Sequence, residues 1–426
     1  MNLTESIAVT DLTPRGGVGR LEGKAIFIAD TVPGDVVEAR VLADKGRYFV
    51  GELVAMVTPS PERQETPCPW FPACGGCDVL WMKVAALRRL KLRSLGETLG
   101  RFAGINPGLV TEIRSIGGYQ GSRNKLTFHL EFEGGKPIWG FHRRGSHEMV
   151  GVERCYVEED GCRRAREDLF AWADPARLLA WGCKKVMVRA GTDVQQTVLF
   201  LPRNQWQSVR AAIPNQELDE HNSIWLATPE GKRWELAWGE RYLSLRVGGM
   251  DYLLRGGTFF QVHTGVAGLL LGDVLANLPG GELLLDLYCG LGFFGLPLAG
   301  RYSRIIGIET DQEAVADGKH LAEVLGISNV ELLPGRIEER LPHLALTHAD
   351  AAVVDPPRSG MEPAALEVLT ALKPRTILYV SCHPSTLARD LLALGQHGYR
   401  VISVTGYDMF PSTLHVEALA RLELTA

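Results

Sequence analysis

The chain has 426 residues, 46% of them hydrophobic and 22% charged, a composition that excludes fibrous and disordered classes and leaves room for about two to four globular domains. The formal net charge of −5 is unevenly spread: residues 61–150 carry 13 basic and 8 acidic side chains, whereas residues 251–426 carry 12 and 20. No stretch supplies the ~20 apolar residues of a spanning helix, and the amino end MNLTESIAVTDLTPRGG lacks the basic head and apolar core of a secretory signal. A cytoplasmic protein without membrane contact is therefore expected.

Residues 1–60 break short Val/Ile/Phe-rich runs with Gly, Pro-Gly and Lys-Gly at intervals of about 8–12 residues, the pattern of short strands and turns. So small a sheet must hide its edges, which predicts a closed, OB-like β-barrel. The Pro-rich TPSPERQETPCP at 58–69 reads as a linker and runs into Cys68, Cys74 and Cys77. Helical periodicity follows over 84–99, then Gly-punctuated strands over 114–152. Residues 156–250 mix a helix near 162–181 with further strands.

From about residue 250 apolar strands alternate with Ala- and Leu-rich helices: GELLLDLYC, RIIGIE, NVELLPG, ADAAVVDPP, RTILYVSC and YRVISVTGYD. Continuous apolar strands between amphipathic helices make a parallel sheet covered on both faces. The expected order is a barrel over 1–60, a β-rich central domain over 61–250, and a Rossmann-like, doubly wound α/β domain over 251–426.

The turn after LLLDLYC contains Gly290, Gly292 and Gly295, where glycine lets the backbone approach a ligand and a helix end offers free amides. The G-x-G-x-x-G spacing alone also suits dinucleotides. Glu309 ends the next strand about 20 residues on, where an acid can bond ribose hydroxyls, and Asp355 ends ADAAVVD. Acids at successive strand ends suit an adenosine that carries a cationic sulfonium; a domain binding NAD is the alternative. Cys382 ends RTILYVSC, and His383-Pro384-Ser385-Thr386 opens a helix whose amino end is expected to lower the thiol's pKa. A lone cysteine is otherwise a small buried hydrophobe. Glu417 in HVEALARL is an acid that costs energy to desolvate, so it lies at a strand edge or has a function.

The segments FFQVHTG, DLYCGLGFFGLPLA, DPPRSG, YVSCHPSTLARD and FPSTLHVE, in this arrangement, resemble the RNA uracil-5-methyltransferases. The resemblance covers essentially the whole chain, because the amino end is similar to the TRAM RNA-binding barrel of many members. It implies S-adenosylmethionine as methyl donor, Cys382 as nucleophile and Glu417 as base, with Gln261, Tyr288, Glu309 and Asp355 holding the cofactor beside Gly290 and Gly292. It implies either 23S ribosomal RNA, favoured by the layout, or transfer RNA as substrate, and a monomer is expected. Three positions depart from the family pattern: Phe293 replaces an Asn, His263 replaces the Asn of FFQVN, and Gly335–Arg336 offers no acid or amide against adenine.

The chemistry accounts for these residue types independently. C5 of uracil is too weak a nucleophile until a thiolate adds at C6 and makes the ring an enolate. After methylation C5 carries one proton too many, which a carboxylate can remove before the thiol departs. Methylation of an exocyclic amine needs neither group, and its usual Pro-Pro-aromatic motif is broken by Arg358. A non-catalytic RNA-binding factor is the rival reading, and it has no use for both Cys382 and Glu417.

Cys68, Cys74 and Cys77 in a chain without secretory features suggest metal rather than disulfides, with Cys155 or Cys162 as fourth ligand. The uneven spacing is not a paired zinc ribbon and suits an iron–sulfur cluster; a zinc site and reduced structural thiols are the alternatives. The resemblance implies a structural [4Fe–4S] cluster on Cys68, Cys74, Cys77 and Cys155. Basic residues among aromatics, Arg123, Lys125 and Arg143, are the candidate RNA contacts; the alternative is an ordinary solvated surface. The target base must be unpaired or flipped out.

Overall fold

In the computed structural model, which describes residues 6–214 and 221–425, three sheets and one hairpin carry the chain. The first sheet runs Ile7–Ala8, Val36–Asp44, Tyr48–Thr58, Lys24–Ile28, Gly16–Leu21 and Asp11–Thr13 in spatial order. Alternate residues face inward, so Ile26, Ile28, Val37, Ala39 and Phe49 form its core. The expected closed barrel is not found. The two edge strands are halves of one segment that serves both ends: the Val9 amide donates to the Asp35 carbonyl and the Thr10 amide to the Val18 carbonyl, each at 2.8 Å. Two and three residues per edge leave the sheet blunted by short strands instead of a continuous ladder.

The second sheet has seven strands, ordered Met149–Gly151, Lys136–His142, Lys125–Glu133, Lys185–Ala190, Gln195–Phe200, Asn222–Ala227 and Trp234–Gly239. Helix Asp160–Trp172 covers it, burying Cys162, Ala165 and Leu169 against Val186, Val188 and Leu199.

The third sheet orders Val330–Pro334, Tyr302–Glu309, Gly281–Leu287, Ala351–Val354, Thr376–Ser381, Glu417–Leu424, Tyr399–Tyr407 and Val110–Arg114. Its first five strands are parallel, as the apolar runs predict. Leu285, Ile306 and Tyr379 face one core with helices Pro363–Ala371 and Pro384–Gln396, while Leu284, Ile305 and Leu378 face the other with helix Thr264–Asn277. Chain winding reverses between Gly281–Leu287 and Ala351–Val354, where such folds open a crevice at the carboxyl ends.

The first sheet ends at Thr58, but sheet membership cuts across the expected boundary at residue 250. Val110–Arg114 is the edge strand of the third sheet, and helix Val84–Ala103 sends Leu95 and Leu99 into that sheet's core. The earlier turns of the same helix place Ala86, Leu87 and Leu90 among the cysteine-bearing residues. Hairpin Leu243–Leu254 packs on the third sheet's other core. No helix among the described residues is long and apolar enough to cross a membrane.

Candidate active site

A cavity of about 680 Å³ opens at the reversal point and is lined by Gln261, Tyr288, Gly290, Glu309, Asp355, Cys382 and Glu417, all expected from the sequence. Its floor comes from the turn after Leu287. Tyr288 and Cys289 both donate to the Ile308 carbonyl, at 2.9 and 3.2 Å, which bends the chain so that Tyr288 takes φ +60° and Gly290 +55°. The Gly290 amide then donates to Glu309 Oε2 at 3.1 Å. Gly292 does not line the cavity: its amide closes the turn onto the Cys289 carbonyl at 2.8 Å, with φ +86° that only glycine adopts readily.

Two carboxylates, Glu309 and Asp355, line this floor, and a third, Asp286, lies outside the lining within electrostatic reach of both. Glu309 Oε1 accepts from the Asp311 amide at 2.8 Å and the Thr310 hydroxyl at 3.0 Å. Asp286 is 1% exposed; Oδ2 takes the Gly295 amide at 2.8 Å, and Oδ1 has no partner. Burial pushes Asp286 up to about 7 against its Gly295 hydrogen bond, with Asp355 and Glu309 adding to the rise. Burial and Glu309 push Asp355 up to about 7 as well. Uncompensated negative charge of this kind is relieved by a bound cation.

The reacting groups stand at the far end. Cys382 follows strand Thr376–Ser381 and precedes His383, which caps helix Pro384–Gln396 by accepting the Thr386 amide on Nδ1 at 3.4 Å. The helix end does not lower this thiol as expected. Burial, then the Glu417 carboxyl, push it above its ordinary value, with Asp355 adding to the rise. Glu417 opens strand Glu417–Leu424 at 4% exposure, and burial with Asp355 holds its carboxyl well above the usual range.

Arg358 is the residue that sequence reasoning missed. Its guanidinium lies within electrostatic reach of the Cys382 thiol and, as a cation, opposes the rise at both Cys382 and Glu417. Its loop is latched to the nucleophile's helix: the Thr386 hydroxyl donates to the Arg358 carbonyl at 3.1 Å, Arg389 to the Ser359 carbonyl at 2.9 Å, and the Met361 amide to Asp390 at 2.8 Å. Gly360 sits at φ +78°, where a Cβ would come within 2.4 Å of Arg389 and Asp390. The signal was the arginine after DPP, taken only as evidence against amine methylation.

Each departure from the family pattern has a structural place. Phe293 joins Tyr252, Phe260 and Phe294 in a ring cluster on the cavity wall. His263 is buried at the start of helix Thr264–Asn277, outside the cavity lining. Arg336 pairs with Glu338, and Glu338 supplies an acid to the lining beside Tyr288. The opposite wall is joined to the central sheet: the Asn124 side chain donates to the Gln261 carbonyl at 3.0 Å.

Cys68, Cys74, Cys77 and Cys155 share one neighbourhood, each within electrostatic reach of another. Burial lifts Cys77 to about 11 and Cys155 to about 12. Cys162 lies apart in the central core, its sulfur 3.9 Å from the Arg123 and Val188 carbonyl oxygens. Among the described residues no three His, Cys, Asp or Glu side chains gather tightly enough to hold a single metal ion. Of the candidate RNA contacts, Lys125 lies 5.7 Å over the ring of Phe259, which is 67% exposed at the cavity. Burial lowers Lys125 to about 8, helped by Arg189. Arg123 acts electrostatically on Cys74 and Cys77. Arg143 bridges to Cys74 through the backbone and pairs with Glu148 at 3.1 Å.

Doubly wound sheet, strand-end acids and a thiol facing a buried carboxylate define a Rossmann-like methyltransferase. The profile of the family described as tRNA (uracil-5-)-methyltransferase matches residues 204–424. RNA methyltransferases described as uncharacterized are similar over nearly the whole length: one from Halalkalibacterium halodurans is 31% identical, covering 98% of this chain and 96% of its own, and one from Thermosynechococcus vestitus is 32% identical, covering 98% of each. Among solved structures, the Pyrococcus abyssi tRNA (uracil-54, C5)-methyltransferase in complex with S-adenosyl-L-homocysteine superposes with a TM-score of 0.75 at 25% identity, over 98% of this chain and 100% of that one. This chain belongs to the RNA uracil-5-methyltransferase family.

Proposed function

We propose that the protein transfers a methyl group from S-adenosylmethionine to C5 of a uridine in folded RNA, with Cys382 as nucleophile and Glu417 as base. The observation that carries this reading is that Cys382, Arg358 and Glu417 meet in the cavity that also holds the strand-end acids. When bound, S-adenosylmethionine supplies an electrophilic methyl on a sulfonium, a cation that the crowded Asp286, Glu309 and Asp355 suit. Gln261, Tyr288 and Gly290 would hold its remaining parts.

The protein's own groups do the rest. Arg358 offers its guanidinium charge to the sulfur as the Cys382 thiolate adds to C6 of uracil. The electron pair of the 5,6 double bond moves toward O4, and C5 becomes the carbon that accepts the methyl group. Glu417, ionised in the working state, takes the surplus C5 proton. The ring electrons then return and expel Cys382.

The substrate we propose is 23S ribosomal RNA, on the strength of an amino-terminal sheet combined with the cysteine unit. Transfer RNA is the second reading, favoured by the likeness to the Pyrococcus abyssi enzyme. Arg123, Lys125 and Arg143 are the proposed phosphate contacts. We also assign a structural [4Fe–4S] cluster to Cys68, Cys74, Cys77 and Cys155. Two buried and two half-buried cysteines in one neighbourhood supply the four thiolates that such a cluster would need.

Cys382→Ala is expected to abolish methylation and retain cofactor binding. Glu417→Gln is expected to accumulate a methylated, covalent RNA adduct on denaturing gels, and wild-type protein does the same on RNA containing 5-fluorouracil. Mass spectrometry of 23S and transfer RNA from a deletion strain identifies the substrate. Absence of any Cys382-dependent adduct overturns the mechanism in favour of a non-catalytic RNA-binding factor.

A further inference from the structure

The segment 408–416 crosses from strand Tyr399–Tyr407 to Glu417 and carries Phe410 into the cavity. It belongs by sequence to the α/β domain, yet its anchoring comes from elsewhere. Among the described residues, its hydrogen bonds beyond itself all go to residues 77–114, Ser412 to Cys77 among them. Lys91 and Asp408, each 1% exposed by side chain, form a buried ion pair at 2.6 Å. Lys91 also donates to the Phe410 carbonyl at 3.0 Å, and Arg88 pairs with Asp408 at 3.1 Å. The Asp408 amide donates to the Arg114 carbonyl at 2.9 Å. At the far end the Asp78 amide donates to the Ser412 carbonyl at 2.8 Å, and Asp78 Oδ2 accepts the Leu414 amide at 3.3 Å. Leu414 packs into the same core as Cys68, Cys77 and Leu87.

We infer that Asp78 is a positioning residue for Glu417: through Leu414 it seats the strap that delivers the base, and it acts on the second half of the reaction rather than the first. This inference rests on the reaction proposed above. Cys382 shares a ladder with the strand of Glu417, through Ser381 opposite Ala418, but it has two anchors of its own that the strap does not touch, its helix and the Arg358 loop. A loosened strap therefore displaces the carboxylate that removes the C5 proton and leaves thiolate addition and methyl transfer in place. The enzyme then stalls after methylation, as it does when Glu417 is altered directly.

The test uses the full-length protein, methyl-labelled S-adenosylmethionine and total RNA from a strain lacking the enzyme, and it scores labelled covalent adduct against released methylated RNA. Asp78→Ala removes the acceptor for Leu414, and loss of one such hydrogen bond is expected to raise the adduct-to-product ratio about fivefold. Asp78→Asn keeps an acceptor oxygen and is expected to stay near wild type. Lys91→Met removes the donor to Phe410 and is expected to shift the ratio in the same direction, and thermal melting of each variant separates loss of the strap contact from loss of the fold. Parallel loss of adduct and product in these variants, or wild-type partition in both, overturns the inference. Absence of adduct in Glu417→Gln overturns the reaction itself, and this inference with it.

Discussion

Cofactor binding should expel a proton. In the ligand-free protein burial and Glu309 hold Asp355 at about 7, so at pH 6 about one-tenth of it is ionised and at pH 8 about nine-tenths. A sulfonium cation selects the ionised form, whereas the neutral thioether S-adenosylhomocysteine has no charge with which to do so. The dissociation constant for S-adenosylmethionine should therefore weaken about tenfold between pH 8 and pH 6, near 1.4 kcal/mol, if one proton is released. Titration calorimetry in two buffers of different ionisation enthalpy should show release of about one proton at pH 6, with the thioether changing far less. The sign carries over to stability. A carboxyl raised from 3.8 to about 7 favours the fold most below its ordinary range, and that contribution is lost as pH rises through 7. Thermal stabilisation by S-adenosylmethionine should accordingly be larger at pH 8 than at pH 6. Equal affinity at both values, or the same pH dependence for the thioether, would refute the role given to these acids.

Arg358→Met should slow alkylation of Cys382 by iodoacetamide at pH 7.5; an opposite charge within reach, discounted for an exposed guanidinium, is worth about 1–2 kcal/mol, or roughly 5- to 30-fold. An unchanged alkylation rate would return Arg358 to a loop role. Gly360→Ala should lower both stability and activity, because its Cβ meets Arg389 and Asp390 at 2.4 Å; activity equal to wild type would show that the latch does not position Arg358. Protein purified without oxygen should be brown, and Cys155→Ser should bleach it while Cys162→Ala retains colour; stoichiometric zinc without iron would exclude the cluster. Neutralising Arg123, Lys125 and Arg143 together should weaken RNA binding and flatten its salt dependence, with Arg143 contributing least because Glu148 already pairs with it.

Much of the α/β domain was legible because its information is local. LLLDL, IIGI and AAVV are apolar at every position but Asp286 since both faces of those strands are covered, and a strand end is where an acid or thiol meets a ligand. Glu309, Asp355 and Cys382 are thus legible as strand-end residues, whereas Glu417 is legible only as a costly acid inside an apolar run. The first sheet was legible as strands, but the expected closure into a barrel was not met, because its edge strands Ile7–Ala8 and Asp11–Thr13 are too short for a continuous ladder. The thiol's environment was misjudged for a related reason: a helix amino end is visible in HPST, whereas the acid opposing it stands on a strand that begins at residue 417. Arg358 went unassigned because its partner sulfur is distant in sequence and near only in the fold.

The largest divergence, residues 84–114, follows the same logic and explains the strap. VTEIR is an unremarkable five-residue strand whose partner, Tyr399–Tyr407, follows nearly the whole catalytic domain later. The helix before it shows apolar spacing but also a lysine, Lys91, on the buried face. Read locally, that lysine interrupts the stripe. In the fold it is the charge that Asp408 requires, and an ion pair with both partners buried is tolerated only where each compensates the other. Removing one partner of such a pair costs more than an apolar core contact would, so the helix cannot drift from the strap without exposing that cost. An amino-terminal helix tied to the catalytic domain through a buried charge, rather than through apolar contact alone, fixes the register in which the segment enters strand Glu417–Leu424, and so fixes where the first residue of that strand presents its carboxylate.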